Sequence, residues 1–244
     1  MNSRRQFILK SSLASTVLIA TNPFNLLSKP SSSTSLFLLN NNKVIFLHTG
    51  DHNENINELA AKVRLMKATN SKLLLLHATT NSGSAVPSLK YDILLPTINS
   101  VGGAPVFHHI TYKGKIKIGV LVAKAEEING VQEINALSSW LKNEKKCHFV
   151  VCLSELGFKN KEGADDLQIA ENSTHIDMIL GGHARNICKG PYIARNKNKE
   201  EVIINSSISA NHDFANIEVQ FDQNNNKSKV WMNHLHKRNF SHST

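Results

Sequence analysis

Cysteine is scarce: three stand in 244 residues, Cys147, Cys152 and Cys188, at spacings that form no paired framework. That excludes a disulfide-stapled scaffold and a cysteine-rich metal cluster. Cys147 and Cys152 flank or lie in an apolar run and read as small core residues. No P-loop and no Gly-x-Gly-x-x-Gly occurs, so the phosphate-cradling loops of those nucleotide folds are excluded. No internal repeat is present. Acidic residues fall short of basic ones, 19 against 28, which leaves a net charge of +9. No basic stretch is interleaved with aromatics, so the excess reads as a basic soluble surface, and no nucleic-acid partner is expected.

The N-terminus carries a basic head, Ser3-Arg4-Arg5-Gln6-Phe7-Ile8-Leu9-Lys10, and then a mostly apolar stretch over 13–20. A patch rich in Pro and Ser follows over 23–35. The apolar part is too short to span a membrane permanently, so the segment reads as an export signal. The Arg4-Arg5 pair with Phe7 and Lys10 resembles a twin-arginine signal, which exports folded proteins. No Ala-x-Ala marks the cleavage point. The expectation is an exported, periplasmic protein, or one anchored at the outer face of the inner membrane if the signal is retained. The organisation expected is a signal over 1–28, a linker over 29–42, one domain over 43–236 and a tail over 237–244.

Hydrophobic patterning predicts buried strands over 43–49, 72–78 and 149–153, and a shorter one over 91–95 that Pro96 stops. Four consecutive leucines, Leu73 to Leu76, are too apolar to face water on either side. Helical spacing is met over 56–68, 131–143 and 165–172. Lys113-Gly114 joins two runs, 105–112 and 115–123, as a hairpin. The tail predicts strands over 202–206, 216–221 and 230–234, the last two joined by a turn at Asn224–Asn226. Strands that first alternate with helices and later arrive in hairpins argue for one layered domain, a four-layer α/β/β/α sandwich of two mixed sheets packed face to face.

Polar candidates collect at three strand ends. Residues 176–185 read Ile-Asp-Met-Ile-Leu-Gly-Gly-His-Ala-Arg, a buried strand whose two glycines let the backbone turn and approach something closely before His183. Asp51 follows the first strand, and Ser154-Glu155-Leu156-Gly157 follows the strand at Phe149. Together these resemble the calcineurin-like metallophosphoesterases, in the branch of the periplasmic 5′-nucleotidases. Leu47-His-Thr-Gly-Asp51 resembles the family's His-Thr-Asn-Asp-x-His. Val150-Val-Cys-Leu-Ser-Glu-Leu-Gly157 resembles its Val-x-Leu-Ser-His-Leu-Gly, and 176–185 its Ile-Asp-x-Ile-Leu-Gly-Gly-His-x-His. The resemblance runs from about residue 43 to 221, with the motifs in order, and implies the metallophosphoesterase-like sandwich fold.

The resemblance also implies a centre of two divalent cations, Zn or Mn, that hydrolyses phosphate esters or nucleotides. Asp51 and His183 match ligands of that centre, and the rest of the set is eroded. Asn53 stands where a histidine is expected. Leu76-His77-Ala78-Thr79-Thr80 replaces the family's Asp-Ala-Gly-Asp, with His77 and Thr80 at the carboxylate positions. Asn99 is all that remains of a Gly-Asn-His motif, Glu155 stands for a ligand histidine, and Arg185 for the last one. A neutral hydroxyl at Thr80 neither bridges nor neutralises two cations, and Arg185 puts a fixed positive charge in their place.

Three readings follow. The preferred one is an exported 5′-nucleotidase-like protein with a degenerate dimetal centre and little or no hydrolysis, a binding or accessory module in which Asp51 pairs with Arg185. Its cofactor is a divalent metal, Zn or Mn, by resemblance, or none, and a separate nucleotidase-domain protein is a candidate partner. The alternative is an active phosphoric-ester hydrolase with an altered or mononuclear site built from Asp51, Glu155 and His183. A third keeps a nucleotide or phosphate-ester ligand without hydrolysis, gripped by Arg185 as a bidentate donor. His108, His109, His234 and His236 are expected at the surface, and 142–146 as a solvated helix end.

Overall fold

In a computed structural model of the chain, the residues described are 42–49, 56–78, 90–94, 108–123, 131–160, 163–182, 190–206 and 212–236. The export signal, nearly all of the linker and the C-terminal tail expected from the sequence lie outside them. Among the described residues no helix is long and apolar enough to cross a membrane.

The strands form two mixed sheets. One has five strands in the order β11-β10-β1-β2-β3: β11 (Lys227–His236), β10 (His212–Phe221), β1 (Lys43–Thr49), β2 (Leu73–His77) and β3 (Ile93–Leu94). The other has six, β4-β5-β6-β7-β9-β8: β4 (His108–Lys113), β5 (Ile116–Ala123), β6 (Phe149–Ser154), β7 (Met178–Gly181), β9 (Glu201–Ser206) and β8 (Tyr192–Arg195). Within the first sheet β1, β2 and β3 run parallel. Within the second, β5, β6, β7 and β9 run parallel, with β4 and β8 as antiparallel edges.

Alternation along the strands sorts their side chains into three cores. Val44, Phe46, Leu74 and Leu76 of the first sheet pack with Ile118, Phe149, Val151, Leu153 and Leu180 of the second, so the sheets lie face to face. Phe149 is the centre of this layer, its ring 5.4 Å from Phe46 and 5.7 Å from Phe221. The other face of the first sheet offers Ile45, Leu47, Leu73 and Leu75 to Ala60 and Val63 of α1 (Ile56–Thr69). The outer face of the second offers Val150, Cys152, Ile179 and Ile204 to Ile134 and Leu141 of α2 (Val131–Asn143) and Ile169 of α3 (Asp166–Asn172). The order of layers is α/β/β/α, as the sequence leads one to expect. The four leucines of β2 are divided between two of these cores, which is why no polar residue interrupts them.

The hairpin is made by Gly114, at φ +63, between Lys113 and Ile116. Strand β8 escapes sequence reading because, of its four residues, Ala194 alone is fully buried. Strand β3 is two residues long within the described chain, shorter than the run over 91–95. There the Asp92 carboxylate accepts a hydrogen bond from the Leu75 amide (2.8 Å), and the Asp92 amide donates to Leu75 O (3.0 Å). The helix end at 142–146 is exposed at Asn143, Glu144 and Lys146, as expected, but Lys142 is partly buried, pairing with Asp177 at 2.8 Å and donating to His148 O at 2.7 Å, while Lys145 lies over the Trp140 ring. Asp177 also receives the Val150 amide (2.8 Å), so the pair locks α2 to the start of β6. His109 is exposed, whereas His108 is half-buried, edge-on to Trp140 at 4.7 Å. The side chains of His234 and His236 lie outside the described residues.

Candidate functional site

Parallel strands bring their carboxyl ends to one edge of a sheet, and each sheet here presents such a row. In the first sheet the row is Thr49 of β1, His77 of β2 and Leu94 of β3, adjacent by register. In the second it is Ala123, Ser154, Gly181 and Ser206, the last residues of β5, β6, β7 and β9.

The first row is tied by side chains. Thr49 Oγ1 lies 3.0 Å from His77 Nδ1 and 2.8 Å from the Tyr91 hydroxyl, and the His77 and Tyr91 rings are 4.9 Å apart. Thr49 and His77 are both about 1% exposed. Burial pushes the Tyr91 phenol well above its ordinary range, against the opposing hydrogen bond to Thr49, so the ring stays neutral. A buried hydroxyl between two other polar groups leaves neither of its own hydrogen-bonding functions idle.

The second row is built on the helix side of its sheet, under α3. Ser154 Oγ donates to Asp166 Oδ1 and accepts the Leu156 amide at 3.1 Å. The Gly182 amide donates to Ser154 O at 2.8 Å, and the Asp166 amide to Gly157 O at 2.9 Å. Asp165 caps α3 by accepting the Gln168 amide at 2.7 Å. Gly181 is where the backbone comes closest to another group. A Cβ there would stand 2.8 Å from Asp166 Oδ2 and 3.3 Å from Ser206 Oγ, so only glycine lets the carboxyl lie on the strand. Asp166 is fully buried and its Oδ2 has no hydrogen-bond partner. Burial raises its acid to about 7; Asp165 pushes the same way and the Ser154 hydrogen bond opposes.

Of the site residues expected from sequence, Glu155 is described. It is half-buried just beyond β6, with its amide bonded to Ala123 O at 2.9 Å. Asp51, His183 and Arg185 lie outside the described residues, as do Asn53, Thr80 and Asn99, so the Asp51–Arg185 pair is not described. Sequence reading missed the roles of Thr49, Tyr91, Asp166 and Ser206. A polar residue closing an apolar strand was the available signal for Thr49 and Ser206; Asp166 has none, because its burial depends on Gly181.

The resemblance puts the bridging carboxylate of a two-cation centre at Thr80, which lies outside the described residues, and a second carboxylate at His77, the last residue of β2. The His77 ring there has Nδ1 3.0 Å from Thr49 Oγ1. Among the described residues no three His, Cys, Asp or Glu side chains gather as a metal-binding group. Thr49 and His77, the described polar groups at the ends of β1 and β2, include no carboxylate, while Asp51, Thr80 and His183 lie outside the described residues.

No protein-family model and no curated protein matches the chain. Solved structures do. The chain is similar to a 5′-nucleotidase precursor from Thermus thermophilus, with a TM-score of 0.65 and 13% identity over 80% of this chain and 54% of that one. It is similar to an NAD nucleotidase from Haemophilus influenzae, with a TM-score of 0.58 and 14% identity over 80% and 50%. A calcineurin-like phosphoesterase from Bacillus subtilis gives a TM-score of 0.51 and 12% identity, over 79% of this chain and 90% of that one. The chain thus spans about half the length of the two nucleotidase structures (54% and 50%). The fold is that of the calcineurin-like metallophosphoesterases.

Proposed function

We propose that this is an exported protein that keeps the metallophosphoesterase fold but has lost the two-cation centre, and serves as a binding or accessory module with little or no phosphoester hydrolysis. One observation carries the proposal: at the end of β2, where the family pattern has a carboxylate, stands His77 with Nδ1 against Thr49 Oγ1. The sequence beyond it supports the same reading, since Thr80 is uncharged and Arg185 is a permanent cation. A guanidinium suits a phosphate or carboxylate as a bidentate partner. The ligand class proposed is therefore a nucleotide or other phosphate ester, bound through Arg185 and not cleaved. Export rests on the Arg4-Arg5 head and the short apolar stretch behind it, and a separate nucleotidase-domain protein is the proposed partner.

A second reading has one observation in its favour. Glu155 is half-buried just beyond Ser154, the last residue of β6, and with Asp51 and His183 it would supply a carboxylate, carboxylate and imidazole set for a single cation. The test is hydrolysis of a generic phosphate ester by the purified exported form, with added Mn or Zn. Turnover at the level of the blank, unchanged in Asp51→Ala, is expected. Turnover abolished by Asp51→Ala overturns the proposal.

A further inference from the structure

The cluster under α3 is not used by any reading of the metal centre, and it has an energetic peculiarity. A carboxyl group is sealed against the last residue of β7 with one oxygen unpartnered, and burying such an oxygen as an anion is costly. The titratable groups coupled to it are Asp165 on its own helix cap and Cys152 of β6, both acidic, so neither supports a negative charge. Among the described residues, the other groups set against its carboxyl, Ser154 of β6, Gly181 of β7 and Ser206 of β9, carry no charge. We propose that Asp166 is a proton-dependent clamp on the Gly181–Gly182 turn: as a neutral acid it seats α3 on the ends of β6, β7 and β9, and on losing its proton to solvent it releases them.

The parts that the clamp joins are specific. Ser154 is the pivot, because its hydroxyl holds Asp166 and the Leu156 amide while its carbonyl holds the Gly182 amide. In neutral Asp166, Oδ1 still accepts from Ser154 while Oδ2 lies against Gly181 without an anion's solvation demand. Ionised Asp166 keeps the Ser154 bond but leaves a bare charge on Oδ2, and water reaches that oxygen only if α3 lifts from Gly181. The acid, near 7 in the closed form and near 3.8 when exposed, sets the range of the response. Closing binds a proton throughout that range, so opening becomes about tenfold more frequent per pH unit up to 7 and levels off beyond.

Two measurements on the full chain test the clamp. In hydrogen exchange corrected for intrinsic rates, the segment 176–182 is expected to exchange faster than 43–49 in the other sheet, with protection falling about tenfold per unit between pH 5 and 7. Asp166→Asn, which keeps the shape and the acceptor for Ser154, is expected to abolish that slope. Exchange over 176–182 that is independent of pH, or no faster than over 43–49, overturns the clamp. Should Asp166→Asn not fold, carbon-13 titration of the native Asp166 carboxyl decides: a midpoint near 7 supports the clamp, and one near 4 removes it.

Discussion

Thr49 Oγ1 lies 3.0 Å from His77 Nδ1, across the ends of two adjacent parallel strands. The Tyr91 hydroxyl lies 2.8 Å from the same Thr49 oxygen, so a hydroxyl, a ring nitrogen and a phenol tie these strand ends together. Thr49→Val keeps the shape and deletes the hydroxyl. We expect a loss of ~1–3 kcal/mol in urea unfolding, the cost of taking a partner from buried polar groups. A loss under about 0.5 kcal/mol, the scale of surface substitutions, contradicts the tie.

Gly181→Ala tests the close approach of Asp166. The added Cβ would stand 2.8 Å from Oδ2, so helix or strand must shift, at about 1–3 kcal/mol. Combining it with Asp166→Ala removes the clash, and the two losses should then sum to less than their separate values. Strict additivity in that double-mutant cycle would falsify the contact.

Stability should depend on pH with a definite sign. The Asp166 acid is raised from 3.8 to about 7 in the folded state, so the folded chain binds the proton more tightly than the unfolded one. Its contribution is complete below 3.8, is lost as pH rises toward 7, and changes no further above that, at up to ~1.4 kcal/mol per unit. Urea midpoints measured from pH 5 to 8 should fall and then level, and Asp166→Asn should flatten the fall. A native midpoint that rises across this range contradicts the assignment.

The Lys142–Asp177 pair gives an electrostatic test away from the strand ends. Asp177 accepts from Lys142 and from the Val150 amide at 2.8 Å each, and both side chains are mostly shielded. Asp177→Ala should cost ~1–3 kcal/mol by leaving the Val150 amide without its acceptor. Lys142→Met should cost less, because it removes one donor and keeps much of the apolar stem. The reverse order, seen in thermal or urea unfolding, contradicts this division.

The layers were legible because strand burial follows simple rules. Leu73 to Leu76 have no polar face, and the strand at Phe149 is similarly continuous, so both must lie between covered surfaces. Edges were harder: β8 keeps one fully buried residue, Ala194, and so lacks the pattern that marks a strand. At the site, departures from the metallophosphoesterase pattern were readable one by one, since His77 and Thr80 are not carboxylates. The side-chain contacts made at the strand ends were not. The Thr49–Tyr91 contact joins residues 42 positions apart, and Asp166 reaches Gly181 through the packing of α3. The Gly181–Gly182 pair suggested a backbone coming close to something; at Gly181, the last residue of β7, the group that comes close is the protein's own Asp166 carboxyl.

The central claim is that the fold persists without its two-cation centre. Calorimetric titration of the purified exported form with Mn and with Zn, together with metal content by elemental analysis, tests it most directly. No stoichiometric binding of a metal pair is expected, and the melting temperature should be unchanged by chelator. Two ions bound per chain, lost on Asp51→Ala and accompanied by a rise in melting temperature, would contradict it.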